Sequence, residues 1–148
     1  MPDPAPPSPP PPSLFDAYTP DQMALRVEKV GIIKAEMAAL PLLALAMLAG
    51  AFVALGAMFF TVTVTGAGPE FGPTRLLGGV AFSLGLILVV VGGAELFTGN
   101  VLMVMGWADG KVSTRALLRN WGMVYAGNLA GGVGMAALAH AGGLFALA

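Results

Sequence analysis

The sequence predicts an all-α membrane protein, on three observations. Hydrophobic residues make up 57% of the 148 and charged residues only 10%, against roughly 25% charged in an ordinary soluble domain. Mean hydropathy is +0.82. The apolar residues fall into three long segments, each exceeding the roughly 20 residues a helix needs to cross about 30 Å of hydrocarbon. A chain so poor in charge cannot clothe a water-facing surface, which excludes a soluble enzyme and a nucleic-acid binder. With no cysteine and one histidine, His140, there is no disulfide framework, no thiolate nucleophile and no His cluster. No cofactor or metal is expected.

The chain opens on a polar tail. Eight of its 12 prolines fall in the first 12 residues, so residues 1–13 read as an extended, Pro-rich, disordered tail that joins no core. A solvated tail is favoured over a PxxP ligand. It is not a signal peptide, because the first positive charge is Arg26 and no basic region precedes an apolar one.

Residues 14–36 differ. Thr19-Pro20 followed by Asp21 and Gln22 has the form of a helix N-cap with proline in the first turn. Met23, Leu25, Val27, Val30, Ile32 and Ile33 then interleave with Arg26, Glu28, Lys29 and Lys34. This pattern predicts an amphipathic helix lying at the membrane surface.

The rest, residues 37–148, reads as a transmembrane half-domain with spans at about 37–65, 76–107 and 117–147. Arg26, Lys29 and Lys34 precede the first span, and Lys111, Arg115 and Arg119 lie between the second and third. Only Arg75 lies between the first and second. Six cations against one place the N-terminus and the 108–119 loop in the cytoplasm. Trp107 and Trp121 flank that loop as interfacial aromatics do.

The second span is too long for one crossing, at about 32 residues or roughly 48 Å as a helix. Its middle reads Gly92-Gly93-Ala94-Glu95-Leu96-Phe97-Thr98-Gly99-Asn100. Paired glycines, a buried carboxylate and a Thr-Gly-Asn cluster predict a helix broken near 92–97, with halves at about 76–91 and 98–107. Irregular backbone at membrane depth survives only where protein or a cavity surrounds it. The reading favoured is a solute site, with Thr98 capping the second half-helix and presenting its hydroxyl and nearby amides to an anion. The competing reading is a tight-packing kink. Glu95 is the one acid within the spans, a functional candidate because its burial is costly. A structural role is favoured, in which it accepts hydrogen bonds from loop amides, since an ionised carboxylate facing an anion would repel it.

In the third span, Trp121, Tyr125 and Asn128 share one helix face. Asn120 lies beside them, and Gly127 and Gly131 form a GxxxG pair for close helix contact. Packing is the favoured role here, with Asn128 bonding between helices. Met47, Phe52, Met58 and Phe59 read as filler, and His140 as an interfacial residue.

The string Gly93-Ala94-Glu95-Leu96-Phe97-Thr98-Gly99-Asn100, preceded by Phe82-Ser83-Leu84-Gly85-Leu86 and followed by Asn120-Trp121, Tyr125 and Gly127-Asn128, closely resembles the formate/nitrite transporter family. Pro20, Val27-Glu28, Val30-Gly31 and Lys34-Ala35 are similar to that family's entry helix. The match covers about 14–148. The resemblance implies an aquaporin-like fold of two inverted three-helix repeats, homo-pentamers with one pore per protomer, and a place in the bacterial cytoplasmic membrane. It implies that Phe82 lies at an outer pore constriction, that Leu86, Leu96 and Phe97 lie at an inner one, and that Thr98 sits on the break. Gly92, Gly93, Glu95, Gly99 and Asn100 would shape the break. Asn120, Tyr125, Gly127, Asn128 and Gly131 would pack the helices.

The chain departs from the family in carrying three spans, so the family's Glu-His-x-x-Ala-Asn motif on a second broken helix has no counterpart in it. The expectation is a fragment of a longer protomer, or a chain completed by a separately encoded half. The function expected is a channel or proton-coupled transporter for small monovalent anions, formate or nitrite. The alternatives are a neutral-solute channel of the aquaporin type, whose Asn-Pro-Ala motif is absent, and a non-transporting assembly subunit whose GxxxG face packs on a partner. An intramembrane protease is excluded, since one histidine and one intramembrane acid build neither a Ser-His nor a paired-Asp site.

Overall fold

The computed structural model describes residues 18–66 and 72–144. The Pro-rich tail, the first residues assigned to the surface helix (14–17), part of the loop at 66–75 and the last four residues lie outside the described residues. Every regular element among the described residues is helical.

Helix α1, Pro20–Glu36, starts at Thr19, whose side chain accepts from the Gln22 amide while Gln22 reaches back to the Thr19 amide. This reciprocal box satisfies two of the amides a helix start leaves open. Helix α2, Ala39–Val64, is apolar throughout. Its threonines enter that environment with their hydroxyls bonded one turn back, from Thr61 to Ala57 O and from Thr63 to Phe59 O. Helix α3, Gly72–Val91, carries Pro73 in its first turn and so begins before the expected position 76.

The chain then breaks, and a short apolar stretch runs over Phe97–Ala108. It comprises α4 (Phe97–Asn100), a 3₁₀ turn (Val101–Met103) and α5 (Val104–Ala108). Helix α6, Thr114–Ala141, is capped by Ser113, which accepts from the Ala116 amide. Helix α6 ends at Ala141, where Gly143 adopts φ +75, a left-handed conformation glycine accepts without strain; the rest of the span expected to reach about 147 runs into residues outside the described ones.

The three long helices, α2, α3 and α6, are each long and apolar enough to cross a membrane. Helix α2 is central and packs along both others. Glycines set the spacing. A side chain on Gly56 would sit 2.6 Å from the Phe82 carbonyl of α3, and one on Gly131 would run into the Met47 carbonyl of α2. The Gly127–Gly131 pair is therefore consumed inside the chain, against Ala46 and Met47. That removes the surface on which the assembly-subunit alternative relied.

The buried core is thin. Leu42, Ala46 and Val124 form one cluster, Ala49, Val89 and Ala94 a second, and Met103, Val112 and Leu117 a third. In the most apolar stretch of each long helix, no more than 28% is buried. The remaining apolar surface has to meet lipid or further protein.

Candidate functional site at the helix break

The break spans 92–96, and each of its turns is held by a named partner. The Gly92, Gly93 and Ala94 amides fold back onto the carbonyls of Leu88, Val90 and Val89. Gly93 takes φ +61, which turns the chain out of α3. The Glu95 amide crosses to Leu45 O on α2 at 3.2 Å. The Asn128 side chain then ties the break to α2 through three backbone groups. Its Oδ1 accepts from the Phe97 amide at 2.9 Å, and its Nδ2 donates to Ala46 O at 2.8 Å and to Glu95 O at 2.9 Å.

This arrangement corrects the expected cap. Thr98 does not cap the second half-helix: Leu96 occupies the N-cap position without a side-chain bond, and Asn128 from α6 serves the first amide instead. The Gly99 and Asn100 amides bond to Leu96 O. Three of the amides expected to greet a solute are thus already occupied. Thr98 itself is exposed on the first turn.

Glu95 is also partnered otherwise than expected. It is 5% exposed, and its carboxylate accepts from two side chains rather than from loop amides. Lys34 Nζ reaches Oε2 at 2.8 Å, and Asn100 Nδ2 reaches the same oxygen at 2.8 Å. Lys34 Nζ also donates to Asn100 Oδ1 at 2.9 Å, and Asn100 Nδ2 to Asn120 Oδ1 at 2.9 Å. Asn120 Nδ2 closes the ring on the Lys34 carbonyl at 3.0 Å. Asn100 and Asn120 are fully buried, a placement tolerated only because the amides are partnered in this network.

Lys34 is the site residue that sequence reasoning misses: it enters there through orientation, the amphipathic pattern and the entry-helix resemblance, and not as the partner of Glu95. The signal was available: a lone carboxylate in a span requires a cation, and Lys34 is the last one before the first span. Trp121, which flanks the 108–119 loop as an interfacial aromatic would, also donates its Nε1–H to the Asn100 carbonyl at 2.9 Å.

The structure brings Leu86, Gly93, Glu95, Leu96, Thr98 and Gly99 together with Lys34 around one open cavity of about 390 Å³. Phe82 lies one turn from Leu86 on the same face of α3 and is exposed, outside that lining. Gly92 continues the turn into the break. Phe97 points elsewhere: its ring packs edge-on against Trp121 (centroids 6.2 Å apart) and Tyr125 (5.7 Å), beside the Leu42–Ala46–Val124 cluster. Gly127 and Gly131 seat α6 on α2 and so fix where Asn128 arrives. Among the described residues there is no group of His, Asp and Glu side chains placed to hold a metal.

Comparison with known proteins agrees with this framework. The family model described as formate/nitrite transporter matches residues 21–148. The formate channel FocA of Escherichia coli (strain K12) is 44% identical over 118 residues, 79% of this chain and 41% of FocA. The formate channel BtFdhC of Bacillus thuringiensis is 35% identical over 131 residues, 86% of this chain and 50% of that protein. A probable formate transporter of Methanothermobacter thermautotrophicus is 42% identical over 93 residues. The chain spans half or less of the length of these curated relatives, which are named as channels and transporters rather than enzymes. With three membrane-length helices, a family model covering residues 21–148 and relatives of this identity, the chain is that of a multi-pass membrane protein and belongs to the formate/nitrite transporter family.

Proposed function

We propose that this chain forms one wall of a path for small monovalent anions, formate or nitrite, across the cytoplasmic membrane. The observation that carries the reading is the cavity at the break, where an exposed threonine and a lysine meet leucines from both sides of the break. Leu86 and Leu96, with Phe82 one turn nearer the start of α3, make an apolar passage that rejects hydrated cations and large solutes. The Thr98 hydroxyl offers a hydrogen bond to the anion as it sheds water. Lys34 neutralises Glu95, so the wall presents no net negative charge to it. Phe97, packed on Trp121 and Tyr125, fixes the angle at which Thr98 is presented. Protonating a weak-acid anion within the passage would greatly lower its cost of crossing apolar rings, which makes proton-coupled passage the natural mode at low pH.

The exposed apolar faces support a larger assembly: further helices must close the path, and a homo-pentamer in the family's manner accommodates the rest. The excess of cations on α1 and near the 108–119 loop supports a cytoplasmic N-terminus. The relatives' names favour an anion over a neutral solute.

Formate and nitrite flux into proteoliposomes containing the full protein tests this. Thr98→Ser retains flux, and Thr98→Val lowers it by about tenfold, the equivalent of one hydrogen bond at the barrier. A correctly assembled protein that passes no small anion overturns the reading.

A further inference from the structure

One charged cluster has no part in the path described above: Glu28 on α1, with Asp109 and Lys111 on the turn between α5 and α6. Lys111 Nζ lies 2.6 Å from both Glu28 Oε1 and Asp109 Oδ2. The two carboxylates differ sharply in setting. The Asp109 side chain is 59% exposed and that of Glu28 only 13%. Glu28 Oε1 is buried and takes no hydrogen bond from any other group among the described residues.

We propose that Glu28 and Lys111 are positioning residues that hold the N-terminal half of α1 on the α5–α6 turn and thereby keep Lys34 on Glu95. The proposal rests on the anion path described above, in which Lys34 neutralises Glu95. Lys111 is presented by a stiff turn. Its amide and that of Val112 both donate to Gly106 O, at 2.9 and 3.0 Å, while Gly110 takes φ +71. Helix α1 approaches this region closely, since a side chain on Gly31 would stand 3.2 Å from Met103 Cα.

The two ends of α1 are anchored differently. At its C-terminal end, Asn120 holds the Lys34 carbonyl and Arg119 the Met37 carbonyl. Further toward the N-terminus, Ile32 packs on the Met103–Val112–Leu117 cluster, and Glu28 at mid-helix pairs with Lys111. Exposed ion pairs usually contribute little. This one differs because losing Lys111 strands a mostly buried carboxylate, and the helix relieves that by swinging away. Glu28 and Lys34 are six residues apart on one rigid helix, roughly 9 Å, so a swing at Glu28 about the anchored C-terminal end tilts the helix at Lys34 and draws its side chain off the 2.8 Å contact.

The test measures two things in the full protein in proteoliposomes: formate flux, and amide hydrogen exchange over residues 20–36. Lys111→Met and Glu28→Gln are expected to speed exchange and to lower flux by about fivefold, the upper range for an ion pair of this kind. Lys111→Arg keeps both, and Asp109→Asn changes neither appreciably because Asp109 is open to water. In a Glu95→Gln background, where no buried carboxylate needs neutralising, Lys111→Met costs no further flux. Wild-type exchange and flux in Lys111→Met overturn the proposal, as does a full additional loss in the Glu95→Gln background. A wild type that passes no formate sinks the transport reading instead, and exchange over 20–36 alone then decides the latch: unchanged exchange in Lys111→Met overturns it.

Discussion

Asn128 caps a helix to which it does not belong: its side-chain oxygen accepts the Phe97 amide at 2.9 Å across 31 positions of sequence. Leu96 at the N-cap position has no side-chain oxygen with which to serve that amide. One asparagine from a neighbouring helix satisfies an amide and two carbonyls at once.

Replacing Asn128 by leucine, similar in size, should therefore lower stability by about 2 kcal/mol, three interhelical hydrogen bonds at under 1 kcal/mol each in a membrane. Thermal unfolding of the full protein in detergent measures this. A midpoint unchanged from wild type would show that the break holds without its external cap.

The Lys34–Glu95 pair should behave non-additively. Lys34→Met leaves a carboxylate at 6% side-chain exposure without its cation and should cost about 3 kcal/mol. Glu95→Gln alone should cost less, because Asn100 still reaches the Gln oxygen and Lys34 retains Asn100. The double variant Lys34→Met/Glu95→Gln should be more stable than Lys34→Met, as a double-mutant cycle by denaturant or thermal unfolding will read. Simple additivity would show that the pair is not coupled.

The contact at the α5–α6 turn should be insensitive to pH over a wide range. The hydrogen bond and the charge of Lys111 hold the Asp109 carboxyl below its ordinary 3.8. The hydrogen bonds to Asp109 and then Glu28 raise the Lys111 ammonium above its ordinary 10.5. A carboxyl held low contributes stability above its unfolded value and loses it as pH falls through the folded one. An ammonium held high contributes below its unfolded value and loses that contribution as pH rises through the folded one. Amide protection of α1, corrected for intrinsic exchange, should stay flat from about pH 5 to about pH 9. Protection that halves between pH 7 and 6 would contradict the assignment.

Much of this was legible in sequence. Thr19-Pro20 marked the start of α1, the glycine pair marked the break, and Gly127 with Gly131 marked a close helix contact, because caps, turns and small-residue spacings are local properties of the chain. Partner choice was not. Lys34 and Glu95 stand 61 positions apart, and nothing in either segment names the other. Thr98 was assigned the cap because it had the right chemistry at the right place, and only the packing of α6 on α2 shows that Asn128 takes that role.

The amino-acid sequence by itself determined a membrane protein of three crossings with a broken second span, because hydropathy and glycine placement act over a few turns of one helix. Tertiary structure decided what holds the break open and what neutralises its carboxylate. Both depend on which helix faces meet, and three apolar helices can meet in several ways until close glycine contacts select one.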